Sequence, residues 1–153
     1  MTDAPIQLRR ATASDAAAIT ALVDEAYEKY IARIGRKPYP MTVDYQAAIA
    51  SKTVWVATDK TRLCGALVLI PGDDHLMIEN VAVAPDFQGR GLGRRLLALA
   101  EDEAKQGGFP ELRLYTNIRF TENIAIYTHY GYTETGRDNQ NGLNVVFMRK
   151  VLV

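Results

Sequence analysis

Cysteine is nearly absent. The single thiol among 153 residues, Cys64, excludes an internal disulfide, and the paired Cys/His spacings of a zinc site are missing as well. His75 and His129 have no partner at metal-ligand spacing, so no metal is expected. Neither sign of charge is in surplus: 18 Lys and Arg residues balance 18 Asp and Glu residues. A balanced chain has no bulk field for nucleic acid or an anionic membrane, and any anion site must be local. No apolar run approaches the roughly 20 residues that a bilayer requires, and the start of the chain lacks the basic and apolar segments of an export signal. These absences predict a soluble, cytoplasmic protein. Repeats, low-complexity tracts and linkers are missing too, so residues 1–153 are expected to form one domain.

What is present is ordinary globular material, 48% apolar and 24% charged. Residues 5–10 read as a strand, and Thr12 to Asp15 offers a capping-box start to a helix. In that helix Ile19, Leu22, Val23, Ala26, Tyr27, Tyr30 and Ile31 recur at three- and four-residue steps. Residues 35–41, with two prolines, end it, and a short helix over 43–50 follows. Residues 53–58 and 63–70 read as an antiparallel hairpin about the polar turn 59–62.

Strand 75–83 alternates with a slip. Leu76 and Ile78 share one phase and Val81 and Val83 the other, which predicts a β-bulge near Glu79 and Asn80. A glycine-rich loop leads into a helix over 92–106, with Leu92, Leu96, Leu99 and Ala100 inward and Gly107 and Gly108 as its stop. A strand over 111–116, a helix over 121–130 and a strand over 132–137 follow. Asn141 and Gly142 then form a hairpin turn into a last strand, 143–150. The order β-α-α-β-β-β-α-β-α-β-β implies an α/β fold whose mixed sheet carries helices on both faces.

The loop between Pro85 and Arg95 reads PDFQGRGLGRR. Glycines let backbone N–H groups approach a ligand and point together, and the following helix adds the positive end of its dipole. With Arg90, Arg94 and Arg95 beside it, the loop suits a diphosphate. Gly89, Gly91 and Gly93 do not match the third glycine of the dinucleotide fingerprint, and no Gly-Lys-Ser/Thr closes a triphosphate loop.

Gln88, Gly91 and Gly93, placed after the strand end Val81-Ala82-Val83, resemble the acetyl-CoA signature of the GNAT superfamily of N-acetyltransferases. The run from Asn123 through Tyr127 to Gly131 and Tyr132 is similar to the family's second signature, and the element order matches over nearly the whole chain. The resemblance implies a mostly antiparallel sheet of about seven strands, splayed at the cofactor site, with about four helices. It implies acetyl-CoA as the acetyl donor and an amine as acceptor, with a homodimer plausible. Backbone of Val81, Ala82 and Val83 would meet the pantetheine and the thioester carbonyl. Amides of Gln88, Gly89, Arg90, Gly91, Leu92, Gly93 and Arg94 would hold the pyrophosphate. Tyr127 would stand beside the sulfur. Phe120 occupies the place of a pantetheine-contacting asparagine, with Asn117 or Asn123 as the candidate substitute.

An ammonium acceptor, with a pKa of about 10.4, must lose a proton before it attacks. Glu79, at the inferred bulge, is the candidate base; its alternative is a structural carboxylate. Tyr127 is the candidate acid for the leaving thiolate, against a packing role at helical spacing with Ile124 and Tyr130. Cys64, in an apolar strand, reads as a packing residue. The segment between the first two helices is expected to cover the acceptor site. A catalytically silent acetyl-CoA sensor is the alternative to an enzyme.

Overall fold

A computed structural model describes residues 5–139 and 144–152. Its eleven main elements follow the expected order: β1 (Gln7–Arg10), α1 (Ala16–Ile34), α2 (Tyr45–Ser51), β2 (Thr53–Asp59), β3 (Arg62–Pro71), β4 (Leu76–Val83), α3 (Leu92–Gln106), β5 (Glu111–Asn117), α4 (Thr121–His129), β6 (Thr133–Asp138) and β7 (Val145–Val151). The seven strands form one sheet in the order β1-β2-β3-β4-β5-β7-β6. Only the β4/β5 pair is parallel. The turn expected at Asn141 and Gly142, and Leu143 at the head of the expected last strand, lie outside the described residues.

β3 sets the core. Cys64 to Leu69 are buried without a break, the pattern of a strand covered on both faces. α1 packs on β3 and β4 with α2 beside it, and α3 packs on β3, β4 and β5. Gly65 lies under α3: a Cβ there would come within 3.2 Å of Leu92 and Leu96 side chains. The inward stripe of α3 comprises Leu92, Leu96, Leu97, Ala100 and Ala104; Leu99, expected inward, is only partly buried.

The starts of α1 and α2 have local causes. Before α1, the Thr12 amide donates to Asp15 Oδ2 at 2.8 Å, and Arg9 grips the same carboxylate at 2.8 and 3.0 Å. Asp44 Oδ1 accepts the amides of Gln46 and Ala47, so α2 starts at Tyr45 rather than at Val43. Gly35, at φ 75°, ends α1 in the left-handed conformation. A 3₁₀ turn over Tyr39–Thr42, absent from the sequence reading, then joins α1 to α2.

The bulge in β4 falls at Glu79: Leu69 pairs with Ile78 and Val68 with Asn80, leaving Glu79 without a β3 partner. Burial along β4 nevertheless alternates cleanly through Leu76, Ile78, Asn80 and Ala82. The apparent slip has a different cause from the bulge. Asn80 is a buried polar residue in the core phase, while Val81 and Val83 occupy the partly open phase.

Candidate active site

β4 and β5 pair over only three residues each, Leu76 to Ile78 against Leu112 to Leu114. Beyond that point β4 follows β3 as far as Val83, and β5 follows β7 as far as Asn117. The sheet therefore splays, and backbone groups on the facing edges are released from pairing with each other. Two cavities meet in this gap, one of about 340 Å³ beside the glycine loop and one of about 420 Å³ beside β5 and β7. Val81, Asn123 and Tyr127 line both.

The cavity beside the glycine loop is shaped by the backbone of that loop. Gly89 and Gly91 have φ of 80° and 84°, values that L side chains strain to adopt, and nothing lies within 4 Å of a Cβ at either. Backbone conformation, not crowding, thus requires glycine here. Gly91 caps α3, whose first-turn amides have no acceptor within the helix. Gln88 Nε2 donates to the Val83 carbonyl at 3.1 Å and ties the loop to β4.

The residues singled out in the loop divide sharply. Gln88, Gly89, Gly91, Gly93 and Arg94 line this cavity, together with Val83. Leu92 and Ala82 are each 2% exposed, so their side chains belong to the core. Arg90 stacks over Phe87 at 4.9 Å, and Arg95 donates to the Ile6 carbonyl at 3.0 Å. Of the three loop arginines, Arg94 is the one in the cavity wall. Asn117 lines the other cavity and accepts the Arg119 amide at 2.8 Å, whereas Asn123 reaches both cavities. Phe120 is buried against Tyr30, ring centroids 4.2 Å apart.

Tyr127 sits at the junction on α4. Its ring meets Tyr132 edge-on at 5.7 Å, and its carbonyl accepts the Tyr132 amide at 3.0 Å. Burial, with a smaller contribution from Tyr30, pushes its hydroxyl up to about 12, so the phenol stays protonated at neutral pH.

Glu79 lies in the wall of the larger cavity with only 5% of its side chain exposed. Lys52, just beyond α2, places Nζ 2.9 and 3.1 Å from its two oxygens, and the Tyr39 hydroxyl donates at 3.2 Å. The structure thus makes Glu79 a partnered carboxylate in the cavity beside β5 and β7. Arg36, Pro38 and Tyr39 line the same cavity, so the segment between α1 and α2 does border it.

Two features escaped the sequence. One is the Lys52 partner; the other is a buried chain in which Tyr27 donates to Asn80, Asn80 to Tyr45 and Tyr45 to the Pro40 carbonyl at 2.6 Å. Both join residues far apart in sequence, where no spacing rule reaches. Among the described residues, no group of three or more His, Cys, Asp and Glu could hold a metal ion, and no helix is long and apolar enough to cross a membrane.

The sheet is thus mixed and splayed, with a glycine loop leading into a helix at the splay. The sequence profile of the acetyltransferase (GNAT) family matches residues 18–132, and the chain belongs to that family. It is 33% identical over 102 residues to "Probable N-acetyltransferase 14" of Xenopus tropicalis, covering 65% of this chain and 50% of that protein. It is 41% identical over 61 residues to the ribosomal protein bS18-alanine N-acetyltransferase of Salmonella typhimurium, covering 40% of this chain and 41% of that one. The chain thus spans about half the length, or less, of these curated relatives. Among solved structures it resembles the PaiA N-acetyltransferase of Thermoplasma acidophilum in complex with coenzyme A, with a TM-score of 0.83 at 18% identity, over 97% of this chain and all of that one. At that identity the likeness is one of fold.

Proposed function

We propose that this protein transfers the acetyl group of acetyl-CoA to the amine of a small molecule or peptide by direct attack. The observation that carries the reading is the junction: two neighbouring cavities at the splay, with Tyr127 and Asn123 in both walls. Two substrates entering from opposite sides would meet beside Tyr127.

The residues present fit the donor. Gly89, Gly91 and the free amides at the start of α3 offer a diphosphate several N–H groups, and Arg94 adds a positive charge. The unpaired edge of β4 along Val81 and Val83 offers backbone partners to an amide-bearing arm.

The amine nitrogen, once deprotonated, attacks the thioester carbonyl carbon; the C–N bond forms and the C–S bond breaks. The amine proton leaves through Glu79, directly or by way of a water, and Tyr127 gives its proton to the departing thiolate. Tyr127 recovers a proton from solvent and Glu79 releases what it takes to solvent; an ammonium acceptor thus loses two protons, one ending net on the thiol sulfur and one in solvent. A phenol raised to about 12 is a weak acid for an ordinary thiolate of about 8.5.

The test is free-thiol release from acetyl-CoA with a panel of amines, alongside calorimetric binding of acetyl-CoA. Binding with amine-dependent thiol release supports the enzyme. Binding with no release from any amine points instead to a silent acetyl-CoA sensor, and no binding removes the donor assignment.

A further inference from the structure

The acceptor-side cavity has a wall of unusual chemistry. Tyr27, Tyr39, Tyr115, Phe120 and Phe147 all line it, with Tyr127 at its inner end. Tyr115 and Phe147 face each other across β5 and β7, ring centroids 6.2 Å apart, and form an aromatic floor. Phe147 is 39% exposed, a large apolar ring left partly uncovered toward this cavity.

Charge is scarce in the same wall. Its ionisable acid is Glu79, and that carboxylate is already answered by Lys52 at 2.9 Å. A single ammonium can share Glu79 with Lys52 and gain further from the surrounding ring faces. A polyamine or aminoglycoside would bring additional positive charges with no described acidic partner in the wall, beside the lining cation Arg36. A volume of about 420 Å³ suits a compact molecule rather than a long chain.

We infer, resting on the acetyltransferase reading above, that the acceptor is a primary monoamine carrying an aromatic body. The amine lies between Glu79 and Tyr127, and its ring packs on Tyr115 and Phe147. Specificity then comes from the β5/β7 floor, residues that no glycine-loop or tyrosine motif marks.

The experiment compares phenethylamine, spermidine and an alanyl tripeptide with a free N-terminus, at saturating acetyl-CoA, by thiol release. Phenethylamine should exceed both others in kcat/KM by about tenfold or more, and Phe147→Ala should raise its KM by about tenfold. Acetyl-CoA affinity, measured by calorimetry on the same variant, should stay at the parent value. Tyr115→Ala provides a second probe if Phe147→Ala folds poorly. A preference for spermidine or the tripeptide overturns the inference and leaves the acetyltransferase reading standing. An unchanged phenethylamine KM in folded Phe147→Ala and Tyr115→Ala also overturns it. Acetyl-CoA binding with no turnover of any amine removes both.

Discussion

The hydroxyl of Tyr27 on α1 donates to Asn80 Oδ1 at 2.8 Å, and the side-chain amide of the same asparagine donates to the Tyr45 hydroxyl at 3.1 Å. Asn80 is 5% exposed and follows the bulged Glu79, so this link fixes the β4 edge that both cavities share. Asn80→Ala leaves two buried hydroxyls with fewer partners and should lower unfolding stability by about 1–3 kcal/mol. Urea denaturation measures it; parental stability would show the link to be dispensable.

Gly91 makes a second, separate forecast. At φ 84° any side chain strains the backbone, and Gly91→Glu also sets a negative charge against the bound diphosphate. Calorimetry should find acetyl-CoA binding lost, in a variant whose circular dichroism spectrum matches the parent. Unchanged affinity in the folded variant removes the loop from the donor site.

Asp15 ties β1 to the start of α1. The Arg9 hydrogen bonds hold its carboxyl down at about 2, below its ordinary value near 3.8. A carboxylate with a depressed folded pKa contributes stability above its unfolded pKa and loses it as pH falls through the folded one. Asp15→Asn should therefore cost on the order of 1–2 kcal/mol at pH 7, discounted for the exposed Arg9 partner, and nearly nothing at about pH 2. Thermal melts of both proteins across that range check the convergence.

Tyr132 carries a buried hydroxyl without a hydrogen-bond partner among the described residues, and is 2% exposed. Its ring and backbone position Tyr127; its oxygen satisfies nothing. Tyr132→Phe should match or exceed parental stability by about 1 kcal/mol, with kcat retained. A clear loss of stability would reveal a partner for that oxygen.

Much of this architecture was legible because it is local. The stripe from Ile19 to Tyr30, the Gly35 stop, the hairpin around Lys60 and the strand-loop-helix passage at Gly91 each follow from spacing within a few residues. The bulge at Glu79 was located through a broken alternation, although the break itself came from a buried Asn80 and two cavity-facing valines. The glycine loop is legible as a strand-to-helix turn, but the places of its arginines are not: Arg90 stacks on Phe87 and Arg95 donates to Ile6, contacts that only the folded chain creates. Lys52 and Glu79 are 27 residues apart, and Tyr27 and Asn80 are 53 apart. Such pairs depend on how α1, α2 and β4 pack, which periodicity does not encode. The aromatic floor of Tyr115 and Phe147 was hidden for the same reason, since it exists only through the β5/β7 register.

The most direct test of proton donation at the junction is the kcat of Tyr127→Phe, measured at saturating acetyl-CoA with an identified amine. The substitution keeps the ring against Tyr132 and removes one oxygen, so stability and donor affinity should persist. Tyr130→Phe, at the C-cap of α4 and in the wall of the glycine-loop cavity alone, is the control. The account predicts a fall in kcat of about a hundredfold for Tyr127→Phe, with Tyr130→Phe near the parent. Parental kcat in a folded, donor-binding Tyr127→Phe variant would contradict it.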